Sequence, residues 1–221
     1  MTGRYKIYII FIESKRITME IDIIMQNLKD MLVERGDDIS MFEEHEADID
    51  RKDFFNDKNV LEFQTSHTTL IFALTKKLRK NIIDELKSGE TSIDSFIQKY
   101  NNKKNVIMIF NNDTISMPIL SQLNRYDKLF QKNGGVLQFF MMKQLMFNPT
   151  KHMFVPKHVK LSETESADVM QKYMIKSKLQ MPVILHNDII AKWLGLRQGD
   201  IVKIERYNEN SGISYYYRCC I

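Results

Sequence analysis

The sequence predicts an α/β N-terminal domain, a small sheet flanked by helices, followed by a small α+β C-terminal domain, divided as residues 1–147 and 148–221. Three observations predict this. Two continuous apolar runs of strand length, Thr68–Thr75 and Asn105–Phe110, bracket a helical pattern, as expected for buried strands joined by a crossover. Two prolines within eight residues, Pro149 and Pro156, hold the connection extended and break any helix there. Beyond residue 200, two alternating runs flank Asn208-Glu-Asn-Ser-Gly212, which has the turn chemistry of a longer hairpin loop.

In chain order, the apolar run Tyr5–Ile12 comes first. It is too short to span a bilayer, contains Lys6 and leads into Glu13, Lys15 and Arg16 with no small-residue cleavage site. It reads as a buried strand or the start of a helix. From Ile17 the period becomes helical, with Met19, Ile23, Met25, Leu28, Met31 and Leu32 recurring every three to four residues until Gly36. Residues 37–53 are acidic but lack the Asp-x-Asp-x-Asp-Gly spacing of a calcium loop, so they are expected to form a solvated loop and short helix.

Thr68–Thr75 should be a strand covered on both faces, with Lys76–Lys80 as its exposed end or turn. An amphipathic helix over Ser92–Tyr100 then leads to a second buried strand, Val106–Phe110, parallel to the first. Ile115–Phe130 is helical again, and Gly134–Phe140 supplies a third strand. The helices pack against this sheet.

Past the proline-bounded connection, Ser162 with Glu165 three residues on forms a capping-box pattern. Ala167, Met170, Tyr173 and Met174 follow as the inner face of that helix. Asp188 caps a short helix, Ile189–Leu194, and Gly195 takes the left-handed position at its end. Gly199 supplies a turn. In Ile201–Tyr207, Val202 and Ile204 share one face and Lys203 and Glu205 the other; in the return strand Ile213, Tyr215, Tyr217, Cys219 and Ile221 fall together. A lone hairpin is marginal in water, so this one must join further strands or a partner. Tyr215 and Tyr217 are expected inward, and Tyr216 and Arg218 outward toward a partner.

At 221 residues and 43% hydrophobic, the chain is long enough for two domains with cores. Its net charge of +4 lies wholly in the C-terminal part, where residues 151–221 carry 11 Lys+Arg against 7 Asp+Glu. So small an excess makes any nucleic-acid contact auxiliary. Cys219 and Cys220 are the only cysteines and, as strand neighbours, point to opposite faces, so they are poorly placed to bridge each other, which fits a reducing compartment. The five histidines, His45, His67, His152, His158 and His186, form no metal or nucleophile motif, and the eight glycines form no phosphate loop. A metal-dependent nuclease, the enzyme that a sheet with acidic residues suggests, would need paired carboxylates and a lysine at strand ends. Glu62 and Asp113 have no lysine at suitable spacing.

The series Asp188, Ala191, Trp193, Gly195, Gly199-Asp-Ile-Val-Lys-Ile-Glu-Arg206, Glu209-Asn-Ser-Gly212 and Tyr217-Arg218 closely resembles the C-terminal domain of the fifth common subunit of eukaryotic RNA polymerases, itself similar to its smaller archaeal counterpart. The resemblance extends upstream through Asn148–His152, Val155–His158, Leu161-Ser162, Tyr173 and Gln180-Met-Pro182. Ile189 and Met181 depart from the family's usual Asp-Pro and Leu-Pro pairs. The N-terminal half resembles the family's jaw domain in the order of its elements and in the Arg35-Gly36 pair that ends the first helix, with a leading extension over residues 1–16.

The resemblance implies a non-catalytic subunit of a multisubunit DNA-directed RNA polymerase, needing no cofactor or metal, with no membrane association and no homo-oligomer. The C-terminal domain would dock on the largest subunit through His158, Gln180, Pro182, Lys203, Arg206, Ser211, Tyr216 and Arg218. The N-terminal domain would lie in the lower jaw, where Thr114, Ser116 and Pro118 approach downstream duplex DNA weakly. Other polymerase subunits complete the set of partners. The expected location is the nucleus for a cellular protein and the virion or a cytoplasmic viral factory for a viral one.

Overall fold

In a computed structural model, residues 19–55, 60–73, 105–111 and 117–221 are described. The expected run Tyr5–Ile12, basic stretch Lys76–Lys80 and helix Ser92–Tyr100 lie outside these residues. The chain divides into two compact units, Met1–Phe147 and Asn148–Ile221.

Helix α1 (residues 19–34) opens the first unit and buries Ile21, Ile24, Met25, Leu28, Met31 and Leu32. Met19 and Ile23, expected in that stripe, are 65% and 41% exposed. The buried residues keep the i, i+3, i+4, i+7 spacing of one face, and Met19 and Ile23 fall on the opposite side, beside Gln26 and Asp30. Helix α2 (Ser40–Asp48) contributes one anchor, Phe42, to a group of stacked and edge-on rings with Phe54, Phe63 and Phe72. The acidic stretch is tied down by ion pairs, since Glu46 meets both Lys29 and Arg51, and Arg51 also meets Asp22.

The sheet is β1 (Val60–Gln64), β2 (Thr68–Ala73), β3 (Asn105–Phe110) and β4 (Val136–Met141), in that order across the sheet. β2, β3 and β4 run parallel, as the crossover pattern predicts, whereas β1 is an antiparallel edge strand that the sequence did not reveal. Helix α3 (Met117–Lys132) bridges β3 and β4 and runs two residues past the expected end at Phe130; the expected start at Ile115 lies outside the described residues. Its Leu123, Tyr126 and Phe130 pack on Val106, Met108 and Phe110 of β3 and on Leu137 and Phe139 of β4. The alternate residues Ile107, Ile109 and Phe140 are buried on the opposite face, so both faces are covered. On that side Arg35 donates to Gln138 Oε1 at 2.7 Å. Burial lowers its pKa to about 10, with Asp37 pulling the other way, so the guanidinium stays charged at neutral pH.

The second unit holds β5 (Lys157–Lys160), α4 (Glu163–Lys172), β6 (Val183–Ile184), α5 (Ile189–Trp193), β7 (Ile201–Asn208) and β8 (Gly212–Cys220). The four strands lie in the order β5-β7-β8-β6, so the hairpin does gain further strands. Ser162 and Glu165 form the expected capping box, but α4 turns Ser166, Val169 and Met170 inward, while Ala167, Tyr173 and Met174 are exposed. Asp188 caps α5 by accepting from Ile190 N–H at 2.8 Å.

Candidate interaction surface on the C-terminal sheet

The sheet of the second unit is covered on both faces at its base. Leu161, Met181, Ile201 and Cys219, with Val169 and Met170 of α4, close one face; Val202, Cys220 and Ile184, with Ala191 of α5 and Leu196, close the other. The two cysteines thus enter separate clusters on opposite faces, and both are free thiols. Burial raises the Cys219 thiol above its usual pKa. Toward the hairpin tip the cover ends, and Tyr207, Ile213, Tyr215 and Tyr216 are exposed.

Cross-strand register decides which side chains meet there. His158 lies opposite Ile204, and Ile204 opposite Tyr216; Val202 pairs with Arg218 and Arg206 with Ser214. His158, Arg206, Tyr216 and Arg218 therefore share one face, joined by Lys160 and Ser214. The Arg206 guanidinium stacks 4.5 Å from the Tyr216 ring centroid, holding a cation and an aromatic plane together at the surface. Arg218 donates to Val183 O at 3.4 Å. His158 Nδ1 lies 2.6 Å from Pro156 O and so carries a proton. Burial chiefly lowers the His158 pKa, with Arg218 and Arg206 adding to the effect and Pro156 and Asp188 opposing it, so the ring favours its neutral form.

The other four anticipated residues lie elsewhere. Lys203 is on the opposite face, 3.1 Å from Glu205 Oε1 and above the Tyr215 ring, and its pKa is raised first by the hydrogen bond to Glu205. Gln180 turns its side chain back to accept from Lys176 and Ser177 N–H, and the neighbouring Pro182 carbonyl accepts from Cys219 N–H. Ser211 sits at the hairpin tip. Tyr215, expected inward, is 52% exposed because the sheet outruns α4, while Tyr217 packs against Tyr173 with ring centroids 5.6 Å apart. Sequence reasoning missed Lys160 and Ser214; alternation offers a signal for Ser214, but Lys160 joins only through the short strand β5.

Thr114 and Ser116 lie outside the described residues, and Pro118 falls in the first turn of α3. Among the described residues no group of three or more His, Cys, Asp or Glu could hold a metal, and no helix is long and apolar enough to cross a membrane. Glu62 lies within β1 opposite Ile71, and Asp113, the other carboxylate of the nuclease reading, falls outside the described residues.

The second unit is thus a four-stranded mixed sheet that carries a cationic, aromatic face. Residues 147–220 match the family described as RNA polymerase Rpb5, C-terminal domain. The chain is 41% identical over 75 residues, 34% of its own length, to the DNA-directed RNA polymerase subunit Rpo5 of Pyrococcus horikoshii, covering 90% of that protein. It is 29% identical over 142 residues to the DNA-directed RNA polymerases I, II and III subunit rpabc1 of Dictyostelium discoideum, covering 62% of this chain and 68% of that one. It is also 37% identical over 86 residues to the corresponding subunit RPABC1 of Caenorhabditis elegans, covering 39% of this chain and 40% of that one. The chain belongs to the Rpb5 family of DNA-directed RNA polymerase subunits.

Proposed function

We propose that this chain is a non-catalytic subunit of a multisubunit DNA-directed RNA polymerase, acting in the nucleus of a cell that encodes it, with other polymerase subunits as partners. Its C-terminal unit docks on the largest subunit, and its N-terminal unit forms part of the lower jaw near downstream duplex. The observation that carries the docking reading is the face shared by His158, Arg206, Tyr216 and Arg218, because arginine and tyrosine at the end of an otherwise buried sheet are the residue types that anchor protein interfaces. Gln180, Pro182 and Ser211 belong to the margins of this contact, and Lys203, on the opposite face of the sheet, lies outside it.

The test is co-expression with the largest subunit. Arg206→Glu combined with Arg218→Glu should prevent co-purification while the isolated chain keeps its circular dichroism spectrum; normal assembly of the double variant would remove these residues from the contact. The DNA contact assigned to Thr114, Ser116 and Pro118 is weak and salt-sensitive. Unchanged affinity of the polymerase for downstream duplex across a salt series, after Thr114 and Ser116 are replaced, would exclude it.

A further inference from the structure

The two sheets treat their edges differently. At the outer edge of the N-terminal sheet, side chains take up amides of β4: Leu137 N–H donates to Asp127 Oδ1 at 3.1 Å and Met141 N–H to Gln144 Oε1 at 3.0 Å. In the C-terminal sheet β6 meets β8 only at Val183–Cys219 and Ile184–Cys220. From Gly212 to Tyr217 no strand lies along the outer side of β8 among the described residues.

Bonds at the end of β8 fix which backbone groups point outward. Cys219 N–H donates to Pro182 O and Ile221 N–H to Ile184 O, both away from β7. Cys220 bonds inward, its N–H to Asp200 O and its carbonyl accepting from Gly199 N–H. Alternation therefore aims the amides and carbonyls of Ile213, Tyr215 and Tyr217 outward and those of Ser214 and Tyr216 toward β7.

An open edge of this kind pairs with other chains unless lysine, proline or a bulge blunts it. Ile213-Ser-Tyr-Tyr-Tyr217 has neither residue, and its register with β7 is unbroken. The surfaces on its two sides differ in chemistry. Arg206 and Arg218 flank it on one face, while Ile213, Tyr215 and Tyr207 line the other.

We propose that the outer edge of β8 from Ile213 to Tyr217 receives an extended segment of the partner polypeptide as a fifth strand. That segment carries acidic side chains on the Arg206 and Arg218 face and apolar ones on the Tyr215 face. The inference rests on the docking reading above and places the segment in the largest subunit. Main-chain bonds supply the affinity of such strand addition and alternate side chains its selectivity. A second copy of this chain is a poorer occupant, since Gly212–Arg218 contains no acid to answer the arginines.

Amide exchange, followed residue by residue, tests the proposal in the full chain alone and in complex with the co-expressed largest subunit. The amides of Ile213, Tyr215 and Tyr217 should exchange freely in the isolated chain and slow by at least ~tenfold in the complex, while Ser214 and Tyr216 stay slow in both. A complex in which the three outward amides exchange as in the free chain overturns strand addition and leaves docking intact. Failure of the unaltered chain to form any complex overturns the docking reading itself. Protection that grows with concentration in the isolated chain assigns the edge to a second copy and overturns the partner strand. In parallel, Tyr215→Pro deletes one outward amide without touching a bond to β7, and Tyr215→Thr keeps it. Recovery of complex should fall at least ~tenfold for the proline variant and stay within about threefold for the threonine variant. Equal recovery of a folded proline variant would overturn the proposal.

Discussion

Met174 is the single non-glycine residue with positive φ among the described residues, at 53°. It ends α4 in a paired-bond motif, with Met174 N–H donating to Gln171 O and Ile175 N–H to Met170 O. The same pair of bonds closes α1 at Gly36 and α5 at Gly195, where glycine meets the left-handed requirement without a Cβ clash. The Met174 side chain is 89% exposed, so its removal forfeits almost no packing. The left-handed conformation costs a non-glycine residue roughly 1–2 kcal/mol, and glycine's extra freedom in the unfolded chain returns about 0.4–1 kcal/mol of that. Met174→Gly should therefore stabilise the C-terminal unit by about 0.5–1 kcal/mol, seen as a higher urea midpoint at unchanged slope. A lower midpoint would mean that the methionine makes contacts this geometry does not contain.

Among elements, β4 depends on a neighbouring helix for more than apolar cover. Asp127 of α3 is buried, accepts from Leu137 N–H, and is steadied by Gln131 Nε2 at 2.8 Å. Asp127→Ala would leave a strand amide without its acceptor inside the unit. A buried donor stranded in this way costs about 2 kcal/mol, whereas Asp127→Asn retains an acceptor and should recover most of the loss. Denaturant unfolding of the full chain, read from the N-terminal unit, would show it; equal loss in both variants would mean that charge, not the hydrogen bond, holds β4. None of this was legible in the sequence, where Asp127 is one acid on a helix. The parallel core strands were legible, because β2, β3 and β4 are continuous apolar runs of the right length. The short edge strands β1, β5 and β6 were not. Val183–Ile184 is two residues long, and Lys157–Lys160 has one apolar residue, so pairing with neighbours defines them and no local pattern does.

At the scale of the whole molecule, the interaction surface was legible only in part for the same reason. Alternation sets Lys203 and Arg206 on opposite faces of one strand and groups Tyr216 with Arg218 in the next, but bringing Arg206 beside Tyr216 requires the register of β7 with β8, and bringing His158 beside them requires β5. The organisation into two units carries a sharper consequence. The Rpo5 protein of Pyrococcus horikoshii is matched over 90% of its length by 75 residues of this chain, so a protein of nearly that extent exists there as a whole subunit. The C-terminal unit has what independence requires, since its sheet is packed between α4 and α5 with apolar clusters on both faces. A fragment of residues 148–221 should therefore unfold cooperatively by itself. It should bind the largest subunit within about threefold of the full chain, a difference of about 0.7 kcal/mol, while residues 1–147 should not compete for that contact. Competition titrations with the labelled full chain would measure both. A folded 148–221 fragment that binds a hundredfold more weakly would move the principal grip into the N-terminal unit, and the cationic face of the C-terminal sheet would then need another occupant.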